Sequence, residues 1–310
     1  MKINETLITS GLKSIIVGYG HRNSSPFSPN QSIPSKLSNV SGEDFVSECI
    51  EFLFKENLSD EVFMKNFDPS DFSGFLLACQ KVGIECNKDK RLYSAIKSKV
   101  KIIDSQISGW TSIGYGQRAS LDLYAKMLNS LDHEDINIKS INRLIGLLES
   151  MSTWYKSSYS DSLSSIYSVS FGINGKTKEG LKSIHRKYFK NIKKAKLDVR
   201  LPVFVGLIKS GKLDKKTARK MRSDASEYVS QKCIEELFNH RKIYDLKTFK
   251  TLFLQFGDSN YYQVRKYLAE NVPANEIMCL MGTDCETTKS ILKRRFDEYY
   301  SEKEESANEQ

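Results

Sequence analysis

Four stretches of the sequence begin with an aspartate, continue with mostly apolar or small residues, and end with a glycine at nearly equal intervals. They are Asp71–Gly83, Asp161–Gly172, Asp198–Gly211 and Asp245–Gly257. An aspartate side chain accepts hydrogen bonds from the unpaired amides at a helix start, and glycine readily adopts the left-handed conformation that ends a helix. Each stretch therefore predicts a helix of about three turns. Pro202 is the exception, because it would kink the third helix unless it lay in the first turn.

A more polar segment with apolar residues at helical spacing follows each glycine. These second segments are Lys88–Val100, Gly180–Lys194, Lys215–Gln231 (capped by Asp214) and Tyr261–Asn271. A degenerate copy without the closing glycine covers Ser120–Leu131 and Asn137–Ser150. Repeated pairs of an apolar and an amphipathic helix are typical of stacked hairpins. The pattern predicts an all-α fold, a right-handed α-solenoid of helical hairpins; the alternative is an irregular helical bundle with a C-terminal helix-turn-helix.

The composition along the chain predicts four parts. They are a flexible N-terminal segment or transit peptide (1–40), a helical-repeat domain (41–271), a C-terminal helical hairpin (272–300) and a disordered tail (301–310). The first part is rich in Ser, Thr and Asn and holds basic residues with one acid, Glu5, which suits either an organellar transit peptide or a short helix around Ile15 and Ile16 followed by a linker. We therefore expect a mitochondrial or other organellar matrix location, with the cytoplasm as the alternative.

Positive charge is concentrated in residues 176–222. This stretch has 17 Lys and Arg against three acids, a net charge of +14, whereas the whole protein carries +9 and the remainder therefore −5. Such a local field favours polyanions, of which nucleic acid is the commonest; the alternative is a lysine-rich solvated face. The candidate nucleic-acid-binding residues are Lys182, Arg186, Lys187, Lys190, Lys193, Lys194, Lys215, Lys216, Arg219, Lys220 and Arg222. Charge reversal at Lys190, Lys194, Arg219 and Lys220 together is expected to weaken RNA binding without unfolding the protein.

Several other classes of protein find no support in the sequence. No apolar run approaches the roughly 20 residues that a membrane-spanning helix needs. The six cysteines form no C-x-x-C pair and are expected to be reduced and mostly buried, and the four scattered histidines show no zinc-ligand spacing. Phosphate-binding glycine loops, nucleophile elbows and metalloprotease motifs are missing. We therefore predict a protein that is not an enzyme, with no catalytic residues, no metal and no cofactor.

The first helices of the repeats carry a family resemblance. The segments DFSGFLLACQKVG, DSLSSIYSVSFG and DVRLPVFVGLIKSG are similar to the first helix of the octotricopeptide and heptatricopeptide repeats and of the FAST-kinase-domain family, which handle RNA in organelles. The resemblance covers about residues 45–271 and implies binding of organellar transcripts or ribosomal RNA. No RAP domain, the nuclease-like module that ends many of these proteins, is present. The resemblance thus implies an RNA-binding or ribonucleoprotein-assembly factor.

The C-terminal segment supports rival interpretations. Residues 271–300 read as a short helix, a turn at Gly282 and a basic helix, the outline of a DNA-binding helix-turn-helix. The segment also resembles the end of tyrosine recombinases, with Arg265 and Gly282 matching, but Ile291 and Leu292 stand where the tyrosine nucleophile should be. An inactive DNA-binding relative remains an alternative. A third is a structural subunit of an organellar complex or a nucleocapsid.

Overall fold

The regular secondary structure of the described part of the chain is all helical, with no strand, which confirms the predicted all-α class. The computed structural model describes residues 13, 15–20, 42–56, 64, 67–114, 117–150, 159–272 and 286–308. The α-helices are α1 (Gly42–Glu56), α2 (Pro69–Lys81), α3 (Lys90–Gly109), α4 (Arg118–Leu128), α5 (Ile138–Ser150), α6 (Ser160–Asn174), α7 (Lys178–Ile184), α8 (Leu197–Lys209), α9 (Lys215–Arg222), α10 (Glu227–Asn239), α11 (Leu246–Phe253), α12 (Tyr262–Asn271) and α13 (Glu286–Asn308). A π-helical turn, His185–Phe189, follows α7, and short 3₁₀ segments cover His133–Asp135, Ile192–Lys194, Arg241–Ile243 and Leu254–Asp258.

The chain divides into two compact units, Met1–Leu147 and Leu148–Gln310, called unit 1 and unit 2. The boundary falls inside α5. In unit 1, α2 packs against α1 and α4, and α3 packs against α4. In unit 2, α8 packs against α6 and α10, α10 against α12, and α12 against α13. The predicted helical-repeat domain, 41–271, takes in parts of both units.

An aromatic cluster forms much of the core of unit 1. Phe67 and Phe72 meet edge to face with ring centroids 5.2 Å apart, and Phe75 lies within 6.0 Å of Phe54, Phe67 and Phe72. Edge-to-face pairs add to the stabilisation from apolar burial because the ring edge is positive and the face negative. Three of these rings come from α2 or directly precede it, so this helix organises unit 1.

The helical residues 15–20 belong to the core of unit 1. Ile16 is fully buried. A β-carbon at Gly20 would lie 1.8 Å from the carbonyl oxygen of Gly74 in α2, so the two backbones are in direct contact. Lys13 forms an ion pair with Asp71 at 2.7 Å. The helix predicted around Ile16 is therefore present, and these residues are packed, although they fall within the range predicted to be flexible; most of the rest of 1–40 lies outside the described residues.

Helix α8 forms the centre of unit 2. Every residue from Leu201 to Ile208 is buried, including Pro202, which lies in the second turn and not in the first. Gly206 sets how closely α8 approaches α6: a β-carbon there would lie 2.5 Å from Cβ of Tyr167 and 3.0 Å from the carbonyl oxygen of Ser164. Small buried serines on α6, Ser164 and Ser168, allow the same close approach.

The predicted helix starts are right at one aspartate and wrong at three. Asp245 caps α11 by accepting from the amide of Thr248 at 2.8 Å. Asp71, Asp161 and Asp198 instead lie in the first turns of α2, α6 and α8. Asp68 caps α2 because Pro69, which follows it, favours the first helical position. An acidic side chain in the first turn still complements the helix dipole, although it does not bond the end amides. Aspartate is therefore favoured both at the cap and just after it, and the sequence pattern does not distinguish the two positions.

Two of the four predicted closing glycines end a helix, and two do not. Gly83 and Gly211 adopt φ of 77° and 68°, the left-handed conformation predicted for a helix end. Gly172 is wrong as a helix end, because it is buried inside α6, which continues to Asn174. Gly257 is also wrong, because it lies in the 3₁₀ segment that follows α11.

Two predicted second helices are broken. Instead of Lys215–Gln231, α9 ends at Arg222 and α10 begins at Glu227. Instead of Gly180–Lys194, α7 ends at Ile184 and continues as the π-helical turn and a 3₁₀ turn. The second segments Lys88–Val100 and Tyr261–Asn271 correspond to α3, which runs on to Gly109, and α12. The two helices of the degenerate copy correspond to α4 and α5.

Two further predictions concern the cysteines and the C-terminus. Cys49, Cys79 and Cys233 are buried and Cys86 is half-buried, which confirms that most of the described cysteines are buried. Helix α13 extends to Asn308, into the residues predicted to be disordered. Residues 273–285, with the predicted turn at Gly282, lie outside the described residues.

The contact at Gly206 gives a prediction with an internal control. Gly206→Ala should destabilise the protein by about 1–3 kcal/mol, because the new methyl overlaps Tyr167 and the two helices must separate. Gly146→Ala, in the exposed face of α5 with no atom near its would-be β-carbon, should stabilise the protein by up to about 1 kcal/mol through helix propensity. Urea unfolding of both variants measures the difference, and equal effects would contradict the close packing of α6 and α8.

Lys99 is a buried lysine in unit 1, only 2% exposed. Its Nζ donates to the carbonyl oxygens of Met64, at 2.9 Å, and Phe67. Burial lowers the pKa of Lys99 to about 8, with Asp68 raising it and Lys13 lowering it by smaller amounts. The folded chain therefore releases this proton at a lower pH than the unfolded chain does.

This depressed pKa predicts a pH dependence of stability. Between about pH 8 and 10.5 the unfolded chain binds the proton that the folded chain has lost, so unfolding takes up a proton and stability rises with pH. The free energy of unfolding of the wild type, relative to Lys99→Met, should rise by on the order of 3 kcal/mol across this window. Urea titrations of both proteins at several pH values test this. Subtracting the variant's profile from that of the wild type removes the contribution of tyrosine and cysteine titration, which both proteins share. Parallel pH profiles would refute it.

Candidate nucleic-acid interface

The excess positive charge of the protein lies in unit 2. Unit 1 has 17 basic and 17 acidic residues and is neutral, whereas unit 2 has 30 basic and 21 acidic residues and carries the whole +9. All the predicted binding residues lie in two elements of unit 2. These are α7 with its continuation to Lys194, and α9.

The first element, residues 178–194, is a helix that changes type. Thr177 caps α7 by accepting from the amide of Gly180 at 3.0 Å. After Ile184 the π-helical turn inserts one residue, so the buried position that a regular helix would give to Tyr188 falls instead on Phe189, which is 1% exposed. Ile192 is buried one turn further on. The predicted binding residues of this element all remain exposed, namely Lys182, Arg186, Lys187, Lys190, Lys193 and Lys194.

The second element, α9, is a short helix with one buried and one cationic face. Asp214 caps it by accepting from the amide of Thr217 at 2.6 Å, as predicted. Ala218 and Met221 are fully buried. On the opposite face Lys215, Lys216 and Arg219 are exposed, and Lys220 and Arg222 are half-buried.

Three contacts join the two elements side by side. His185 Nε2 lies 3.5 Å from Asp214 Oδ2, Lys220 Nζ donates to the carbonyl oxygen of Phe189 at 2.9 Å, and Lys193 Nζ is 3.3 Å from Ser223 Oγ. Because residue numbers increase together along both elements, the two run parallel. We call the surface formed by residues 182–194 and 215–222 the basic ridge.

A buried ion pair ends α9 and fixes its position. The guanidinium of Arg200 in α8 donates Nε and Nη2 to the two carboxylate oxygens of Asp224, each at 2.9 Å, and both side chains are nearly inaccessible to water. Asp224 also accepts from the amide of Ser226 at 2.9 Å, and Tyr261 Oη donates to its carbonyl oxygen at 2.8 Å. This network holds the break between α9 and α10, so the helix predicted to continue to Gln231 stops at Arg222.

The residues of the basic ridge have two kinds of surroundings. Six exposed side chains make no hydrogen bond or ion pair with any described residue: Lys182, Arg186, Lys190, Lys194, Lys215 and Lys216. The others are engaged. Arg222 Nη1 donates to the carbonyl oxygen of Gln255 and to the carboxylate of Asp258. Arg219 Nε donates to the Gln255 side chain at 3.0 Å. Lys220 and Lys193 make the contacts with Phe189 and Ser223 described above. Charge reversal at Lys220 would therefore disturb the fold, and that residue is unsuitable for testing binding alone.

Lys187 is intermediate between these classes. Its ammonium lies 4.7 Å from the centroid of the Tyr188 ring, a favourable cation–π geometry. Burial tends to lower the pKa of Lys187, but the Tyr188 hydroxyl and the charge of Glu149 outweigh it and raise the pKa. The side chain therefore stays charged while it covers the aromatic ring.

Sequence reasoning missed the contribution of the inter-helix turns. A β-carbon at Gly175 would lie 3.3 Å from Cγ of Lys212, so the turn after α6 meets the turn after α8. This contact brings Lys212 to the turn that carries the exposed Lys176. Both residues were visible in the basic stretch, but only the folded chain shows that their turns meet.

Unit 1 contains an open groove of about 600 Å³ between α3 and the start of α5. Three basic residues (Lys101, Lys139 and Arg143) and three acidic ones (Asp104, Glu134 and Asp135) line it. Burial raises the pKa of Asp104, against hydrogen bonds from Tyr124 and Ser140. Because its charges balance, the groove has no preference for a polyanion comparable to that of the basic ridge.

Other kinds of site were sought over the same residues. Across the described ranges no three His, Cys, Asp or Glu side chains lie close enough together to hold a metal ion. None of the described helices is both long and apolar enough to cross a membrane. Comparison of the chain with known protein families, curated proteins and solved structures gives no match.

The contact between Lys220 and Phe189 predicts that Lys220 contributes to the stability of the protein, whereas an exposed lysine on the same helix does not. Lys220→Met should lower the free energy of unfolding by about 1–2 kcal/mol, because it leaves a half-buried carbonyl without its charged donor. Lys216→Met, which removes an exposed and unpaired charge from the same helix, should change stability by less than about 0.5 kcal/mol. Thermal or urea unfolding distinguishes the two, and equal effects would show that the Lys220 contact contributes nothing.

Proposed function

We propose that this protein binds RNA through phosphate contacts made by the basic ridge. The observation that carries the proposal is the parallel alignment of two cationic helical elements, held by three contacts, with six unpaired basic side chains exposed on them. Lys and Arg contacts to phosphates supply most of the affinity of non-specific nucleic-acid binding. Phosphate contacts orient the protein on its ligand without reading base sequence.

We also propose that unit 2 is part of an α-solenoid of helical hairpins. In such an array the first helices of successive hairpins pack together, and so do the second helices. Helices α6 and α8 meet through Gly206, and the element after α6 lies parallel to α9. This arrangement is the one that two stacked hairpins require. On this proposal, and by the repeat resemblance, the protein acts as a binding or assembly factor for organellar transcripts or ribosomal RNA.

The test compares two variants of equal charge. The ridge variant carries Lys190→Gln, Lys194→Gln, Lys215→Gln and Lys216→Gln, and the control variant carries Lys126→Gln, Lys242→Gln, Lys247→Gln and Lys293→Gln. All eight lysines are exposed, and the control set lies outside the basic ridge. A fluorescent RNA stem-loop, which offers both paired and unpaired nucleotides, is titrated with each full-length protein across a series of salt concentrations.

The ridge variant should lose at least about tenfold in affinity at moderate salt. The slope of log K against log salt should flatten by about 3, since four phosphate contacts disappear. The control variant should bind like the wild type, and all three proteins should unfold at similar temperatures. Equal binding by ridge and control variants, or no binding by the wild type, would overturn the proposed function.

A further inference from the structure

We infer that the basic ridge is built for a double-helical nucleic acid and not for a single strand. The inference rests on the proposed function and goes beyond it, because it names the form of the ligand. Two features of the ridge carry it. The cations stand in two parallel rows, and the aromatic rings of both elements are unavailable for stacking on bases.

The cations of each element are closely spaced. Lys182 and Arg186 are four residues apart where α7 runs into the π-helical turn, Lys190 follows that turn, and Lys215 and Arg219 are four residues apart on α9. Side chains four residues apart on an α-helix stand about 5–6 Å apart at Cβ. On α9 that spacing is close to the distance between successive phosphates of one nucleic-acid strand, and the cations of the first element form a second row beside it.

The separation of the rows suits two backbones. The side chain of Lys220 reaches the carbonyl oxygen of Phe189, so the two elements are neighbours within the length of one lysine side chain. The two strands of B-form DNA face each other across grooves about 6–12 Å wide, and A-form RNA has one narrow and one wide groove. Two parallel rows at this separation can therefore contact phosphates on both sides of one groove, whereas a single strand can follow only one row at a time.

The aromatic residues of the ridge are already occupied by the protein. The aromatic residues of the two elements are His185, Tyr188 and Phe189. His185 has its Nε2 3.5 Å from Asp214 Oδ2 and its ring centroid 5.3 Å from that of Phe189. Phe189 is buried against Phe204, with ring centroids 6.0 Å apart. The ring of Tyr188 packs edge to face on Tyr167 and Phe171, at 5.4 and 5.3 Å, and Lys187 covers it.

The missing stacking surface disfavours single strands. Single-strand binders gain about 1–3 kcal/mol per base from stacking on aromatic side chains, in addition to their phosphate contacts. In a duplex the bases are already stacked on one another, so a protein surface that offers only cations loses no stacking energy. Its phosphates are also held at fixed spacing, which reduces the entropy lost on binding. Duplex RNA and duplex DNA share this chemistry, and the experiment distinguishes them.

The experiment uses the full chain and four probes of one unstructured sequence, about 20 nucleotides long. They are single-stranded RNA, single-stranded DNA and the two corresponding duplexes, each titrated at the same series of salt concentrations. At least one duplex should bind about tenfold more tightly than either of its own strands, with a steeper salt dependence because more phosphates are contacted. A preference for the RNA duplex supports this inference and the proposed function together, whereas a preference for the DNA duplex supports the inference and contradicts RNA as the ligand.

Variants that remove one row at a time sharpen the test. Lys190→Gln with Lys194→Gln removes two exposed cations of the first element, and Lys215→Gln with Lys216→Gln removes two exposed cations of α9. Each pair of substitutions should reduce the ratio of duplex affinity to single-strand affinity to nearly one, while Lys242→Gln with Lys247→Gln leaves that ratio unchanged. The inference fails if single strands bind as tightly as duplexes or if one row alone preserves the preference. If no probe binds, the proposed function fails as well, so the two failures can be distinguished.

Discussion

The buried ion pair between Arg200 and Asp224 is the interaction on which the functional surface of unit 2 depends. Transfer of two charges from water costs several kcal/mol per ion, and only good geometry with additional hydrogen bonds offsets that cost. Here the pair is bidentate, and Asp224 also accepts from the amide of Ser226. Because Asp224 must point inward to meet α8, the chain leaves the helical path after Arg222. That break keeps α9 short and places Ser223 beside Lys193.

The basic ridge combines two tasks in residues of the same type. Lys220 donates to the carbonyl oxygen of Phe189, and Lys193 lies beside Ser223, so these lysines join the two elements. Neighbouring lysines such as Lys190 and Lys216 are exposed and unpaired. A protein that concentrates +9 in one unit must place many like charges close together, which costs free energy through repulsion. Donation to backbone carbonyls and to Gln255 offsets part of that repulsion, and the ion pair of Arg222 with Asp258 offsets a further part.

The parts of the fold that were predicted correctly rest on short-range rules. Amphipathic spacing located most second helices, as at Ile141, Leu144, Ile145 and Leu148 of α5, which are all buried. Gly83 and Gly211 ended their helices because the left-handed conformation is available to glycine at little cost. One error was local, because Pro69 moved a cap to Asp68. The others occurred where tertiary packing outweighed the local pattern: Gly172 is buried inside α6, and the π-helical turn places Phe189 and not Tyr188 at the buried position.

The sequence by itself determined the helical class and the position of the charge, because helix propensity, capping and net charge depend on residues close together in the chain. It also identified the basic residues of the candidate site. Which of these are exposed and which hold the fold, and how the two elements align, was decided only by tertiary structure. Those features depend on where Arg200 meets Asp224 and where Phe189 meets Lys220, contacts between residues 24 and 31 positions apart. No local pattern specifies such pairs, since each forms only when separate helices pack together.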